Sequence, residues 1–198
     1  MKSYKLIALT GTTGAGKSEV RAVFEEYGFK VIDADLLARE IMKSPVVQES
    51  VKTFFGADLF SGNELNRRLL AFRAFETKEK TALLNSITHP QITPLFLSEL
   101  ERLTKSGADK IVFDAPQLFE SKLNLICDCV VSVVARREIR LERVMNRDGL
   151  SREEAENRIN AQFSDEFFTE NSDYVIENNS DPESLRLEAK KIIERILD

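Results

Sequence analysis

Cysteine, histidine and long apolar runs are all scarce in this 198-residue chain. The two cysteines do not by themselves make a zinc site, which takes three or four protein ligands. Cys127 and Cys129 stand two apart in CDCVVSVV, so in a strand both point to one side. They are expected to be reduced thiols of a cytoplasmic protein. No apolar stretch approaches the roughly 20 residues that cross a bilayer, so no membrane partner is expected. The N-terminal MKSYKLIALTG enters a glycine loop directly and reads as a core strand, not a signal peptide. Basic residues are in deficit, 28 against 33 acidic, for a net charge of −5. That balance argues against a nucleic-acid partner. The guanine-reading pattern N-K-x-D is missing, which weighs against a GTPase switch. No internal repeat or low-complexity linker breaks the chain, and its length suits one domain, residues 1–198, with insertions.

What is present is concentrated at the N-terminus. GTTGAGKS, residues 11–18, matches the phosphate-binding pattern G-x-x-x-x-G-K-[ST]. An apolar run at 6–9 precedes it, and Val20, Val23, Phe24 and Tyr27 follow at helical spacing. The order strand, glycine loop, helix is the context this motif requires. Gly14, Ala15 and Gly16 bring backbone N–H groups to a phosphate, helped by the helix dipole. Lys17 is expected to bridge the β- and γ-phosphates. Ser18 is expected to hold Mg²⁺, a cation that prefers hard oxygen ligands. Glu19 completes the nucleotide-binding segment.

Short Val- and Ile-rich strands are expected at 6–9, Lys30–Asp33, Lys110–Asp114, 130–135 and Tyr174–Glu177, separated by helical patterns. That alternation predicts an α/β fold with a doubly wound parallel sheet of about five strands. Residues 36–107 break the alternation with helical patterns and no clear strand, and read as a helical subdomain for a second substrate. Residues 136–170 read as a lid. Seven arginines fall within 136–158, and SREE at Ser151 offers a capping box after Gly149. SDPE at Ser180 offers another for the last helix.

Several residues carry the expected chemistry. Asp33 and Asp35 close the second strand, where the carboxyl ends of strands form the ligand crevice. Asp35 is the candidate general base for an acceptor hydroxyl, and also a candidate N-cap of the next helix. Asp33 is a candidate for substrate or metal-bound water. Asp114 ends the third strand as a candidate Mg²⁺ support. Arg143 and Arg147, four apart, share one helix face and can grip phosphate oxygens. His89, followed by Pro90, is expected at a helix start, either facing the acceptor or serving only the helix. The combination favours a kinase for a small hydroxyl acceptor.

Over nearly its full length the chain resembles dephospho-coenzyme A kinases. The segments that carry the likeness are LTGTTGAGKS, VIDADLLAR, FFG, NRRLLAFRAF, ITHPQI, DAPQLFES, LERVMNRDGLSREEAENRINAQ and DYVIENN, in that order. The resemblance implies transfer of phosphate from ATP, with Mg²⁺, to the ribose 3′-hydroxyl of dephospho-coenzyme A. It implies Asp35 as base, Lys17 on phosphate, Arg143 or Arg147 reaching in from the lid, and Arg67 and His89 in the acceptor-binding insertion. The sequence departs from the family at Thr12 and Thr13 inside the loop, at Glu19 after Ser18, and at Gln117, where a leucine is usual. After Gln162 it reads FSDEFFTENSD, acidic and aromatic where the family is basic.

Overall fold

The structure is a computed structural model that describes residues 3–62 and 64–198. Seven strands and nine α-helices follow one another among the described residues. The strands are β1 (Lys5–Gly11), β2 (Lys30–Asp33), β3 (Phe60–Ser61), β4 (Glu64–Leu65), β5 (Lys110–Asp114), β6 (Cys129–Val134) and β7 (Tyr174–Glu177). The helices are α1 (Lys17–Glu26), α2 (Ala34–Ile41), α3 (Pro45–Phe55), α4 (Arg67–Ala74), α5 (Lys78–Lys105), α6 (Arg137–Asp148), α7 (Arg152–Asn160), α8 (Asp165–Glu170) and α9 (Pro182–Leu197).

Five strands form one sheet in the order β2-β5-β1-β6-β7, and every neighbouring pair is parallel. The chain leaves β1 toward β2 on one side and later returns to β6 on the other. The crevice beyond the carboxyl end of β1 is therefore the switch point where such sheets bind ligands. Alternation along β1 divides the core between two faces. Ile7 and Leu9 pack with Val20, Val23 and Phe24 of α1 and with Leu185, Ile192 and Ile193 of α9. Leu6 and Ala8 face Phe96, Leu100 and Leu103 of α5. Both faces are dry, which is why these strands read as apolar runs.

Two smaller cores stand apart from the sheet. Ile41, Val47, Val51, Phe55, Leu59, Leu70 and Ile92 hold the helices inserted between β2 and β5. Leu141, Val144, Ala155 and Ile159 join α6 to α7. Helix α5 belongs to two cores, since Ile92 faces the insertion and Phe96 meets Phe113 of β5 at 4.4 Å between ring centroids.

The inserted helices also carry a strand pair absent from the sequence expectation. β3 and β4 form a two-residue antiparallel ladder, Phe60 opposite Leu65, too short to show a period. The final helix is capped by Asp181, whose carboxylate accepts from Ser184 N at 2.9 Å, rather than from a box begun by Ser180. Pro182 at the first helical position fixes that start. The Ser151 capping box and the left-handed Gly149 are both present. Beyond them a third short helix, α8, was hidden in the acidic-aromatic segment.

Burial pushes the Cys129 thiol up to about 12, and Asp173 and Asp128 add to the effect. At pH 8 the folded protein is expected to alkylate at Cys129 at least about tenfold more slowly than the urea-unfolded chain, because little thiolate forms. Peptide mapping by mass after timed iodoacetamide treatment checks this; equal rates would contradict it.

Candidate active site

The phosphate loop joins β1 to α1 with an unusual backbone. Gly16 takes the N-cap position of α1 in the left-handed region, φ 100°, and no side chain caps the helix. Among the described residues the N–H groups of Lys17 and Ser18 are left to meet an anion, while that of Glu19 donates to the Gly16 carbonyl at 3.0 Å. Packing also dictates the glycines. A Cβ on Gly11 would lie 2.1 Å from the carbonyl oxygen of Val133, and one on Gly16 would lie 2.4 Å from Asn178 Nδ2. Asn178, 5% exposed, follows β7 and donates from Nδ2 to the Ala15 carbonyl at 2.7 Å. Around the loop, Thr10 Oγ1, Thr12 Oγ1 and Asn178 Oδ1 are buried without partners among the described residues, as polar atoms can be where a ligand completes them.

Behind the loop lies a charge network. Lys17 Nζ contacts Asp114 Oδ1. Arg21, one turn along α1, reaches Asp33 Oδ2 at 2.7 Å and Asp114 Oδ2 at 3.2 Å. The sheet register places Asp33 beside Asp114, so one helix face meets two neighbouring strand ends. Burial pulls the Lys17 ammonium below the ordinary lysine range, and the carboxylates of Asp35 and Asp33 oppose that pull.

The two aspartates of VIDAD have different work. Asp33, not Asp35, is the N-cap of α2: its Oδ1 accepts from Asp35 N at 2.9 Å and Leu36 N at 3.1 Å. The strand runs straight into the helix, so the cap falls two residues earlier than the sequence suggested. Asp33 is thereby committed to the cap and to Arg21. Asp35 lines the cavity, and among the described residues its carboxylate has no hydrogen-bond or ion-pair partner.

The cavity, about 930 Å³, runs from the loop past Asp35 to α5 and to α6 and α7. Ser18, Glu19, Arg143, Arg147, His89 and Gln117 also border it. Arg143 NH1 points between the carbonyls of Asn178 at 3.3 Å and Gly14 at 3.5 Å. Arg147 makes a bidentate pair with Asp148, 2.8 Å on each arm, which raises its pKa. Arg158, from α7, shares Asp148 at 2.8 Å, and burial lowers its pKa. Asp35 lies near enough to act on Lys17, Arg147 and Arg158 together.

Two expected residues stand elsewhere than the sequence suggested. His89 is inside α5, not at a helix start; Thr77 caps that helix and Pro90 and Pro94 are both carried within it. Packing on two cores outweighs the hydrogen bonds that the prolines remove. His89 does face the cavity, with Nε2 3.4 Å from Gln117 Oε1, and burial lowers its pKa. Arg67 is exposed at the first turn of α4 and does not border the cavity.

Sequence reasoning overlooked Arg21, Asn178, Arg158 and Glu120. Arg21 had a signal, its i+4 spacing from Lys17. Glu120 borders the cavity with Oε2 buried and unpartnered, and burial raises its pKa.

For Mg²⁺ the donor set fits in part. Ser18 offers a hydroxyl beside the loop, a hard oxygen of the type Mg²⁺ selects. Asp114 is 5% exposed and both its oxygens are held by Lys17 and Arg21. No cluster of three acidic, histidine or cysteine ligands occurs among the described residues. The protein's share of a metal site here is small, as is usual when phosphates and water supply most ligands.

Comparison with known proteins agrees with this geometry. The family model described as "CoaE: Dephospho-CoA kinase" matches residues 5–183. The chain belongs to the dephospho-CoA kinase family. A dephospho-CoA kinase of Fusobacterium nucleatum is 39% identical, covering 98% of this chain and all of that protein. One from Corynebacterium diphtheriae is 40% identical, covering 96% of each. The solved dephospho-CoA kinase of Campylobacter jejuni superposes with a TM-score of 0.67 at 28% identity, covering 96% of each chain.

Asn178→Ala removes the donor that holds the Ala15 carbonyl. It is expected to cost about 1–3 kcal/mol of stability, a melting shift of roughly 2–4 °C per kcal/mol for a chain of this size. Calorimetric melting of the ligand-free protein measures it, and an unchanged melting point would show that the loop does not depend on this bond.

Proposed function

We propose that this chain transfers the γ-phosphoryl group of ATP to the ribose 3′-hydroxyl of dephospho-coenzyme A, giving ADP and coenzyme A. One observation carries the reading beyond the family: a carboxylate without a hydrogen-bond or ion-pair partner among the described residues, Asp35, faces a cavity shared by the phosphate loop, the inserted helices and the lid.

The loop N–H groups and the α1 N-terminus hold the nucleotide's phosphates. Lys17 leaves Asp114 for the phosphate oxygens, which supply a stronger counter-charge. Ser18 would hold Mg²⁺ from the protein side, and the bound ion would neutralise phosphate charge. Asp35 accepts the hydrogen bond of the acceptor hydroxyl, orients it, and takes its proton as the new O–P bond forms and the bond to ADP breaks. The transition state is loose, so this role is chiefly positioning. Arg143, Arg147 and Arg158 surround the cavity with fixed positive charge that stabilises the transferring group without reorganisation. The inserted helices, with His89 and Gln117 at the cavity wall, form the acceptor side. Lid closure excludes water, which would otherwise take the phosphoryl group. A cytoplasmic setting belongs to the same proposal; among the described residues no helix is long and apolar enough to cross a membrane.

ADP release with Mg²⁺-ATP is expected to depend on added dephospho-coenzyme A, with a coenzyme A product identified by mass. Release that ignores the acceptor would overturn the assignment. In Asp35→Asn, turnover is expected to fall by about 10²–10⁴ while calorimetric ATP affinity stays near that of the parent. Retained turnover would remove Asp35 from the mechanism.

A further inference from the structure

The backbone N–H groups of a phosphate loop are its ligand-binding atoms, so their occupancy in the ligand-free chain is informative. Thr12 N is satisfied by the Val133 carbonyl at 3.1 Å and Ala15 N by the Thr12 carbonyl at 3.0 Å. Thr13 N is not spent on backbone. It donates to Gln162 Oε1 at 2.7 Å. Gln162 lies just past α7, and both it and Thr13 border the cavity. A side chain from beyond α7 thus holds a loop N–H at the edge of the cavity.

Gln162 is also firmly placed. Its own N–H reaches the Ile159 carbonyl at 3.3 Å. The next residue, Phe163, stacks on Phe167 at 4.0 Å and 22°. Phe167 in turn meets Phe119 edge-on at 5.2 Å. The aromatic segment after Gln162 therefore packs beside the backbone on which Gln162 stands.

The chemistry of the carboxamide suits that response. It carries an acceptor and a donor on one carbon. A backbone N–H can only donate, so the oxygen faces Thr13 in the empty loop. An arriving phosphate oxygen is also an acceptor, and it competes for the same N–H. Rotation about the last torsion of Gln162 withdraws the oxygen and presents Nε2–H to the phosphate. We propose that Gln162 is a nucleotide-positioning residue of the lid, accepting from Thr13 when the loop is empty and donating to phosphate when it is filled. This rests on the loop binding a nucleotide and not on the identity of the acceptor.

Two variants separate the donor from the acceptor. Gln162→Glu keeps an acceptor and loses the donor; Gln162→Leu loses both. In the nucleotide-free protein, hydrogen exchange at Thr13 is expected to stay slow in the parent and Gln162→Glu and to accelerate in Gln162→Leu. Calorimetric affinities for ATP and ADP are expected to fall by about tenfold or more in Gln162→Glu, where a carboxylate meets phosphate, and by much less in Gln162→Leu. Equal affinities for the two variants, or unchanged Thr13 exchange in Gln162→Leu, would overturn the proposal. If Gln162→Leu does not fold, an affinity of Gln162→Glu equal to that of the parent overturns it alone. Failure of the parent itself to bind either nucleotide would instead refute the nucleotide reading of the loop.

Discussion

Lys17 and Arg21, one turn apart on α1, face Asp114 and Asp33 at the ends of two adjacent strands, and the site depends on this meeting of charges. It ties the helix that follows the phosphate loop to the edge of the sheet. It also sets where α2 begins, because the carboxylate that binds Arg21 is the cap of that helix. A half-buried network of this kind is weak evidence of net stability. Here the arrangement is what leaves Asp35 alone over the cavity, two residues beyond a partner that is fully engaged. A lysine held by a carboxylate before phosphate arrives is kept ordered, so binding does not have to restrain a long flexible side chain.

Much of this was legible from residue order. The glycine loop, the parallel strands and the capping box at Ser151 follow from local rules, since each depends on a few neighbouring residues. The misplaced features depend on distant ones. Pro90 and Pro94 argue locally against an uninterrupted helix, and only packing of α5 on two cores keeps it whole. Asp33 against Asp35 as the cap turns on whether any residue separates β2 from α2, a boundary that propensity does not resolve. Asn178 and Gln162 reach the loop from more than 140 residues away, and no spacing in the chain signals such a contact.

The departures from the family pattern find physical accommodation. Glu19 adds a negative charge beside the nucleotide segment, and Arg186 of α9 meets it at 2.5 Å while also binding Glu26 at 2.5 Å. Gln117 brings a polar group to the cavity wall opposite His89. The acidic-aromatic stretch after Gln162 forms α8, where Asp165 accepts from the buried Arg140 at 2.8 Å. A segment that lacks basic residues thus anchors the arginine-rich helix before it.

Helices α6 and α7 share a core of four buried side chains, separate from the sheet. A unit with so small an apolar interior opens at a lower free energy than the sheet beneath it. The turn at Gly149 is accordingly the place where a protease would cut first under native conditions, and the clipped chain would retain its sheet.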